Sequence, residues 1–183
     1  MQGLLAHLRG RSAAADILLR MVLALCAALA ATSSARAQTE HPSHIVNIAR
    51  FTTWPEDADY GLSFRICLRD DDPAFGRFLE VRGQTVGGRP ITLHAVPPEA
   101  LGKRPCHLVY FSRGLADPVV LGALKGKPTL TVSPQPGFAK IGGVIEMAYR
   151  EGRPELIISK KTVVSHQLTV SAQLLDLAEE VPE

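Results

Sequence analysis

The chain has 183 residues, with 20 basic and 18 acidic side chains and a formal net charge of +2. Its first 37 residues hold four of the arginines and only one acid, so the remainder carries 16 basic and 17 acidic residues. That remainder has no basic run and no basic stripe with aromatic residues, which argues against nucleic-acid binding.

The N-terminal segment has the features of an export signal. Arginines precede an apolar run from Met21 to Ala31, and Ala35-Arg36-Ala37 then fits the small-x-small pattern of a cleavage site. This run is too short to span a bilayer, which takes about 20 residues. We expect residues 1–37 to be a signal peptide cleaved after Ala37, and residues 38–183 to be one periplasmic domain. The alternative is an anchor that stays in the membrane.

The domain is predicted to begin with a helix, a strand and a second helix. Residues 44–51 have the apolar spacing of a short helix, which ends before Trp54 because that residue precedes a proline. Residues 64–69 alternate as in a strand. An aspartate among residues 70–72 is expected to cap a helix that runs to about Val81.

The middle of the domain alternates between strands and helices. Residues 84–96 contain two glycines between β-rich pieces, which predicts a ribbon with a tight turn. Residues 107–112 and 128–133 are predicted strands, the first of the continuous apolar kind found in buried sheets. Between them, Asp117 begins a helix and Gly126 ends it.

The last third is predicted to contain a loop, a hairpin and a helix. Residues 134–143 are rich in Gly and Pro, residues 144–149 and 154–159 pair around a turn, and residues 161–180 carry an apolar helical stripe. This order indicates an α/β fold: a single three-layer domain with a mostly parallel central sheet. We expect helices on both faces of the sheet and the antiparallel hairpin at one edge.

Residues that could carry chemistry are few. His41 and His44 form HxxH without further zinc ligands, and His94, His107 and His166 are scattered, so all five are interpreted as surface or terminal histidines. Residues 70–72 lack the glycine and distal glutamate of a calcium loop, and residues 83–88 lack the GK[ST] ending of a phosphate loop. Glu146 has no partner acid. We therefore expect no enzyme activity, no metal and no cofactor.

Two cysteines remain beyond the signal, Cys67 and Cys106. In an oxidising compartment they are a candidate disulfide. The alternative is a pair of buried thiols, since cysteine is often buried. Because the pair is not CxxC, a thioredoxin-like centre is not indicated.

Six segments, in order, carry a resemblance to a known family. They are NIARFTTWP (47–55), FRICLRDDDPAFG (64–76), VGGRPI (86–91), CHLVYFS (106–112), KPTLTVSPQPGFAKIGGVIEM (127–147) and SAQLLDLAEEV (171–181). With them the chain resembles the YfiR family of periplasmic proteins. The family-motif positions are Arg50, Phe51, Trp54, Pro55, Gly137, Phe138, Gly142 and Gly143. Glu146-Met147 departs from the family, in which asparagine or phenylalanine is more typical.

The resemblance implies a regulator that binds the periplasmic sensor domain of an inner-membrane diguanylate cyclase. Such binding lowers cyclic di-GMP and so disfavours biofilm growth. The resemblance also implies a Cys67–Cys106 disulfide. The expected partner is the cyclase or another sensor, and a homodimer is possible.

Two other functions remain open. The domain could sense a small ligand for another signalling system, with the loops after Arg69, Ser112 and Ser133 lining a crevice at the carboxyl ends of the strands. It could also be an enzyme with a thiol-redox or metal-assisted activity.

Overall fold

The structure, a computed structural model, describes residues 41–56, 58, 61–150 and 153–181. The predicted signal peptide and its cleavage site lie outside these residues, as does the turn of the predicted hairpin. No helix within the described ranges is both long and apolar enough to span a membrane.

The described residues form short helices and a larger number of strands. The helices are α1 Pro42–Arg50, α2 Phe75–Phe78, α3 Pro118–Leu124, α4 Lys160–Ser165 and α5 Ala172–Leu175, with 3-10 turns at Leu79–Val81 and Pro98–Ala100. The strands are β1 Thr52–Thr53, β2 Phe64–Arg69, β3 Thr85–Val86, β4 Arg89–Val96, β5 Leu108–Tyr110, β6 Leu130–Ser133, β7 Ile145–Arg150, β8 Arg153–Ile158, β9 Thr169–Val170 and β10 Ala178–Glu180.

Eight strands form one mixed sheet in the order β10-β8-β7-β6-β5-β2-β4-β3. The five neighbouring strands β7, β6, β5, β2 and β4 pair in parallel. The pairs β7–β8 and β3–β4 are antiparallel. A separate antiparallel pair joins β1 to β9. The predicted α/β fold with a mostly parallel sheet and a hairpin is therefore confirmed.

Side chains of the central strands alternate between two apolar clusters, one on each face of the sheet. Ile66 and Leu108 belong to the first cluster together with α1, whereas Cys67 and Val109 belong to the second together with α3. Parallel strands must be covered on both faces because their crossover connections place helices there. The predicted three-layer arrangement is confirmed.

The helix predicted after residues 70–72 is shorter and is capped differently. Asp72 Oδ1 accepts the Ala74 amide at 2.8 Å, but α2 begins only at Phe75 and has no side-chain cap. The remainder of the predicted helix, to Val81, is a 3-10 turn. The buried Asp72 carboxylate also accepts hydrogen bonds from Ser112, a residue distant in sequence.

The predicted single helix over 161–180 is wrong. This segment contains α4, β9, α5 and β10, and Gln167 after α4 has a φ of 55° in the left-handed region. Strand β10 pairs in parallel with β8, so the predicted hairpin is not the outermost element at this edge. Strand pairing with distant segments outweighs the local helical periodicity here.

Candidate functional site

The predicted disulfide is present. Cys67, in the middle of β2, is bonded to Cys106, which precedes β5, and their Cα atoms lie 6.0 Å apart. Both cysteines are buried. A bridge between cysteines 39 residues apart stabilises a fold by about 4 kcal/mol, on the argument that it restricts the unfolded chain. Two free thiols, the other interpretation of this pair, are excluded.

Arg50 and Phe51 lie where α1 ends. The Arg50 guanidinium donates to Asn47 Oδ1 at 2.7 Å and to the Thr85 carbonyl oxygen at 3.3 Å, so it joins the helix to β3. The Phe51 carbonyl oxygen accepts the Ser171 amide at 2.9 Å, and the residue as a whole is 42% exposed. These two motif positions connect elements through polar groups, and the Phe51 ring remains available to solvent.

Trp54 and Pro55 are half-buried and follow β1. The Trp54 indole packs edge-on against Phe64 with the ring centroids 5.2 Å apart, and its Nε1 donates to the His107 carbonyl oxygen at 3.1 Å. Trp54 thus anchors the segment after β1 to the first residues of β2 and to the residue preceding β5.

His107 was interpreted as a surface residue, and this is wrong: it is 2% exposed. Its ring stacks on Phe64 with a centroid distance of 4.7 Å, and its Nδ1 accepts the Arg65 amide at 3.0 Å. Burial and the positive charges of Arg89 and Arg65 lower the His107 pKa to about 4. The imidazole is therefore neutral at pH 7, and it serves as a structural acceptor within the aromatic cluster.

His166 is also buried, in contrast to its interpretation as a surface residue. Its Nδ1 lies 2.8 Å from the Thr129 carbonyl oxygen, and burial lowers its pKa. His94 is half-buried, so it is not a fully exposed surface residue either. No group of three or more His, Cys, Asp or Glu side chains with metal-site spacing occurs within the described ranges.

The Gly137–Gly143 segment is the loop that the sequence predicts, and it is built around Phe138. Gly137 and Gly142 have φ values of 79° and 109°, which disfavour other residues. A Cβ atom on Gly143 would lie 2.2–2.5 Å from the Phe138 ring, which is fully buried. Glycine at 143 is required because the ring occupies that space.

Glu146, on β7, holds this loop in place through a hydrogen bond. Its side chain is 5% exposed, and its Oε2 accepts the Ala139 amide at 3.3 Å. The sequence shows Glu146 only as a lone carboxylate inside a strand. Its partner is a backbone amide seven residues earlier, and no residue pattern reveals such a contact.

The two groups of motif positions do not form one site. Trp54 packs against the first apolar cluster, whereas Phe138 belongs to the second, on the opposite face of the sheet. The disulfide belongs to the second cluster as well. The motif positions therefore stabilise two separate regions of the domain.

The loops expected to form a ligand crevice after β2, β5 and β6 bond to one another. Ser112 donates twice to Asp72. The Gln135 side chain donates through Nε2 to the Ala116 carbonyl oxygen at 3.2 Å, and its Oε1 accepts the Gly114 backbone amide at 3.0 Å. Asp72, Ser112 and the Gln135 side chain are therefore already paired within the fold.

An open cleft of about 680 Å³ lies elsewhere, between α3, α4 and the Gly137–Gly143 loop. The motif residue Gly142 lines it, and so do lysines from three elements. The lysines are Lys125, Lys140, Lys160 and Lys161. Lys160 forms an ion pair with Glu180. Because Glu180 is the one acidic residue among the described residues lining the cleft and there are four lysines, the cleft is positively charged overall.

Comparison with known proteins gives one match to a family. The profile described as YfiR/HmsC-like matches residues 41–179, a span that contains both bonded cysteines and all eight motif positions. No curated protein matches the chain.

Proposed function

The chain belongs to the YfiR/HmsC-like family, and on that premise we propose that it restrains a membrane-bound diguanylate cyclase by binding the cyclase's periplasmic sensor domain. Restraint lowers cyclic di-GMP in the cytoplasm and disfavours biofilm growth. The observation that carries this proposal is the match across residues 41–179, because it covers nearly the whole described domain.

Two features support a periplasmic location for this function. Disulfides persist in oxidising compartments and are rare in the cytosol, and Cys67 is bonded to Cys106. The N-terminal residues have the three parts of a secretory signal. We propose that export removes residues 1–37 and that the domain acts in the periplasm, where the cyclase's sensor domain is accessible.

We propose recognition rather than catalysis as the activity. The buried polar side chains serve the fold: His107 accepts a backbone amide, Asp72 joins two loops, and Glu146 supports the Gly137–Gly143 loop. These contacts account for the three buried side chains without a catalytic role.

Deletion of the gene tests the regulator function. We expect cyclic di-GMP to rise in the deletion strain and to return to the parental level when the full-length chain is supplied. A chain lacking residues 1–37 should fail to restore it, because it stays in the cytoplasm. An unchanged level of cyclic di-GMP in the deletion strain would contradict the proposal.

A small-ligand sensor is the second candidate, and the 680 Å³ cleft favours it because ligand sites usually measure about 300–1,000 Å³. A metabolite that binds there should raise the unfolding temperature of the protein. Lys161→Ala should remove that increase in unfolding temperature. Lys103 is exposed and lies outside the cleft, so Lys103→Ala should show the same increase as the unaltered chain. A screen of anionic metabolites without any change in unfolding temperature would count against this candidate.

A further inference from the structure

A second cavity, of about 310 Å³, lies beside the disulfide. It is lined by Arg65, Cys67, His94, Val96, Arg104 and Pro105. Arg65 and Cys67 lie on one face of β2, and the register pairs Cys67 with His94 on β4. Arg104 and Pro105 come from the loop that leads to Cys106. The bridge therefore holds that loop against the sheet, and the cavity lies between them.

The cavity contains positive charge that nothing in it balances. Within the described part of the chain, the Arg65 and Arg104 guanidinium groups have no hydrogen bond and no ion pair, and no acidic side chain lines the cavity. Arg65 Nε is buried without a partner. A buried N–H donor without an acceptor destabilises the fold, so an acceptor at this position would stabilise the protein.

The pKa of His94 is affected by the same two positive charges. Its pKa is lowered, first by burial and then by the positive charges of Arg65 and Arg104. Both guanidinium groups therefore act on the same imidazole. Its Nε2 lies 3.0 Å from Thr92 Oγ1, so the ring is held in place as a further polar group of the cavity.

We propose that this cavity binds a phosphate group, held between Arg65 and Arg104. Guanidinium groups match the geometry of phosphate oxygens and form strong charge-assisted hydrogen bonds with them. A cavity of about 310 Å³ is at the small end of ligand sites, which suits a phosphate that carries a small organic group. The group can come from a soluble phosphomonoester or from the headgroup of an anionic phospholipid. This site does not depend on the regulator function.

Calorimetry and NMR on the protein purified after expression of the full-length chain test the site, with inorganic phosphate and phenyl phosphate as probes. We expect both probes to bind at low ionic strength. Arg104→Gln, at an exposed residue, should weaken binding at least tenfold, and Arg65→Gln should do the same. Arg113 is exposed and lies outside the cavity, so Arg113→Gln should change the affinity less than twofold. Bound phosphate should also raise the His94 pKa, because it offsets the two guanidinium charges.

Vesicle flotation separates the two sources of phosphate. If phosphatidylglycerol vesicles bind the chain and Arg104→Gln abolishes that binding, the site accepts a lipid headgroup. If the soluble probes bind and vesicles do not, the ligand is a soluble phosphomonoester. The proposal is overturned if neither binds, or if both Arg65→Gln and Arg104→Gln bind phosphate as tightly as the unaltered chain.

Discussion

Asp72 and Ser112 join the carboxyl ends of β2 and β5. The Ser112 amide donates to Asp72 Oδ2 at 2.9 Å, and the Ser112 hydroxyl donates to Oδ1 at 2.6 Å. Because Asp72 also accepts the Ala74 amide and is only 4% exposed, its carboxylate satisfies three donors away from water. This link fixes two loops at one end of the parallel sheet.

Asp72→Ala should lower the free energy of unfolding by about 2–4 kcal/mol, because it leaves three donors without their acceptor. Urea unfolding followed by circular dichroism measures this loss. Asp70→Ala, at an exposed neighbour in the same acidic run, should change stability by less than about 0.5 kcal/mol. Equal losses in the two variants would show that the contacts to Ser112 contribute little.

Gly143→Ala should destabilise the protein by about 2 kcal/mol or more, since its new methyl group overlaps the Phe138 ring and overpacking forces the core to shift. Gly122→Ala is the matched control. Gly122 lies in α3 with no atom within 4 Å of a new Cβ, and alanine there should stabilise by up to about 1 kcal/mol. Thermal unfolding of the two variants should therefore shift in opposite directions. A wild-type unfolding temperature for Gly143→Ala would contradict the packing described for the loop.

Replacing Cys67 and Cys106 together by serine should lower the free energy of unfolding by about 4 kcal/mol, because the unfolded chain is then no longer restricted by the bridge. On the proposed regulator function, the loosened domain should bind the cyclase less well, so cyclic di-GMP in cells should rise toward the level of a deletion strain. Treating the unaltered protein with a reductant should reproduce the loss of stability, and the serine variant should not respond to it. Full restraint of the cyclase by the double variant would separate the disulfide from the regulatory function.

Stability should fall as the pH decreases from about 6.5 toward 4. His107 has a pKa of about 4 in the fold and takes up a proton near pH 6.5 once unfolded. Its contribution is therefore fully present above pH 6.5 and is lost on acidification, by at most about 3 kcal/mol. The lowered pKa values of His94 and His166 act in the same direction.

Urea unfolding at pH 7, 5.5 and 4.5 measures this dependence. His107→Asn keeps an acceptor near the Arg65 amide but does not titrate, so its stability should vary less with pH than that of the unaltered chain. An identical pH dependence in both proteins would show that His107 is not the main titrating group.

The sequence predicted most elements of the central sheet. Residues 64–69 were expected as a strand and form β2, and the expected hairpin over 144–159 forms β7 and β8. These segments combine β-branched or alternating residues with clear turn signals, so local pattern and tertiary structure agree. The predicted helix over 161–180 failed, because β10 has a sequence, AEE, that forms a strand only through pairing with β8.

The arrangement of the site was less predictable. The cysteine pair was correctly implied, whereas the hydrogen-bond partners of Trp54, Asp72 and Glu146 could not be foreseen. Each of these side chains bonds to a group that only the folded chain places beside it. For the same reason, the sequence does not show that Trp54 and Phe138 lie on opposite faces of the sheet.

The pairing of β1 with β9 has a consequence for the order of folding. Thr52 and Val170 are partners although they are about 120 residues apart in sequence, and contacts between such distant residues form late because a long loop must close first. The ribosome has to synthesise the chain past Val170 before this pair can form. Until then Thr52 and Thr53 lack their strand partners, so the segment between α1 and Trp54 stays unpaired while most of the described domain is being made.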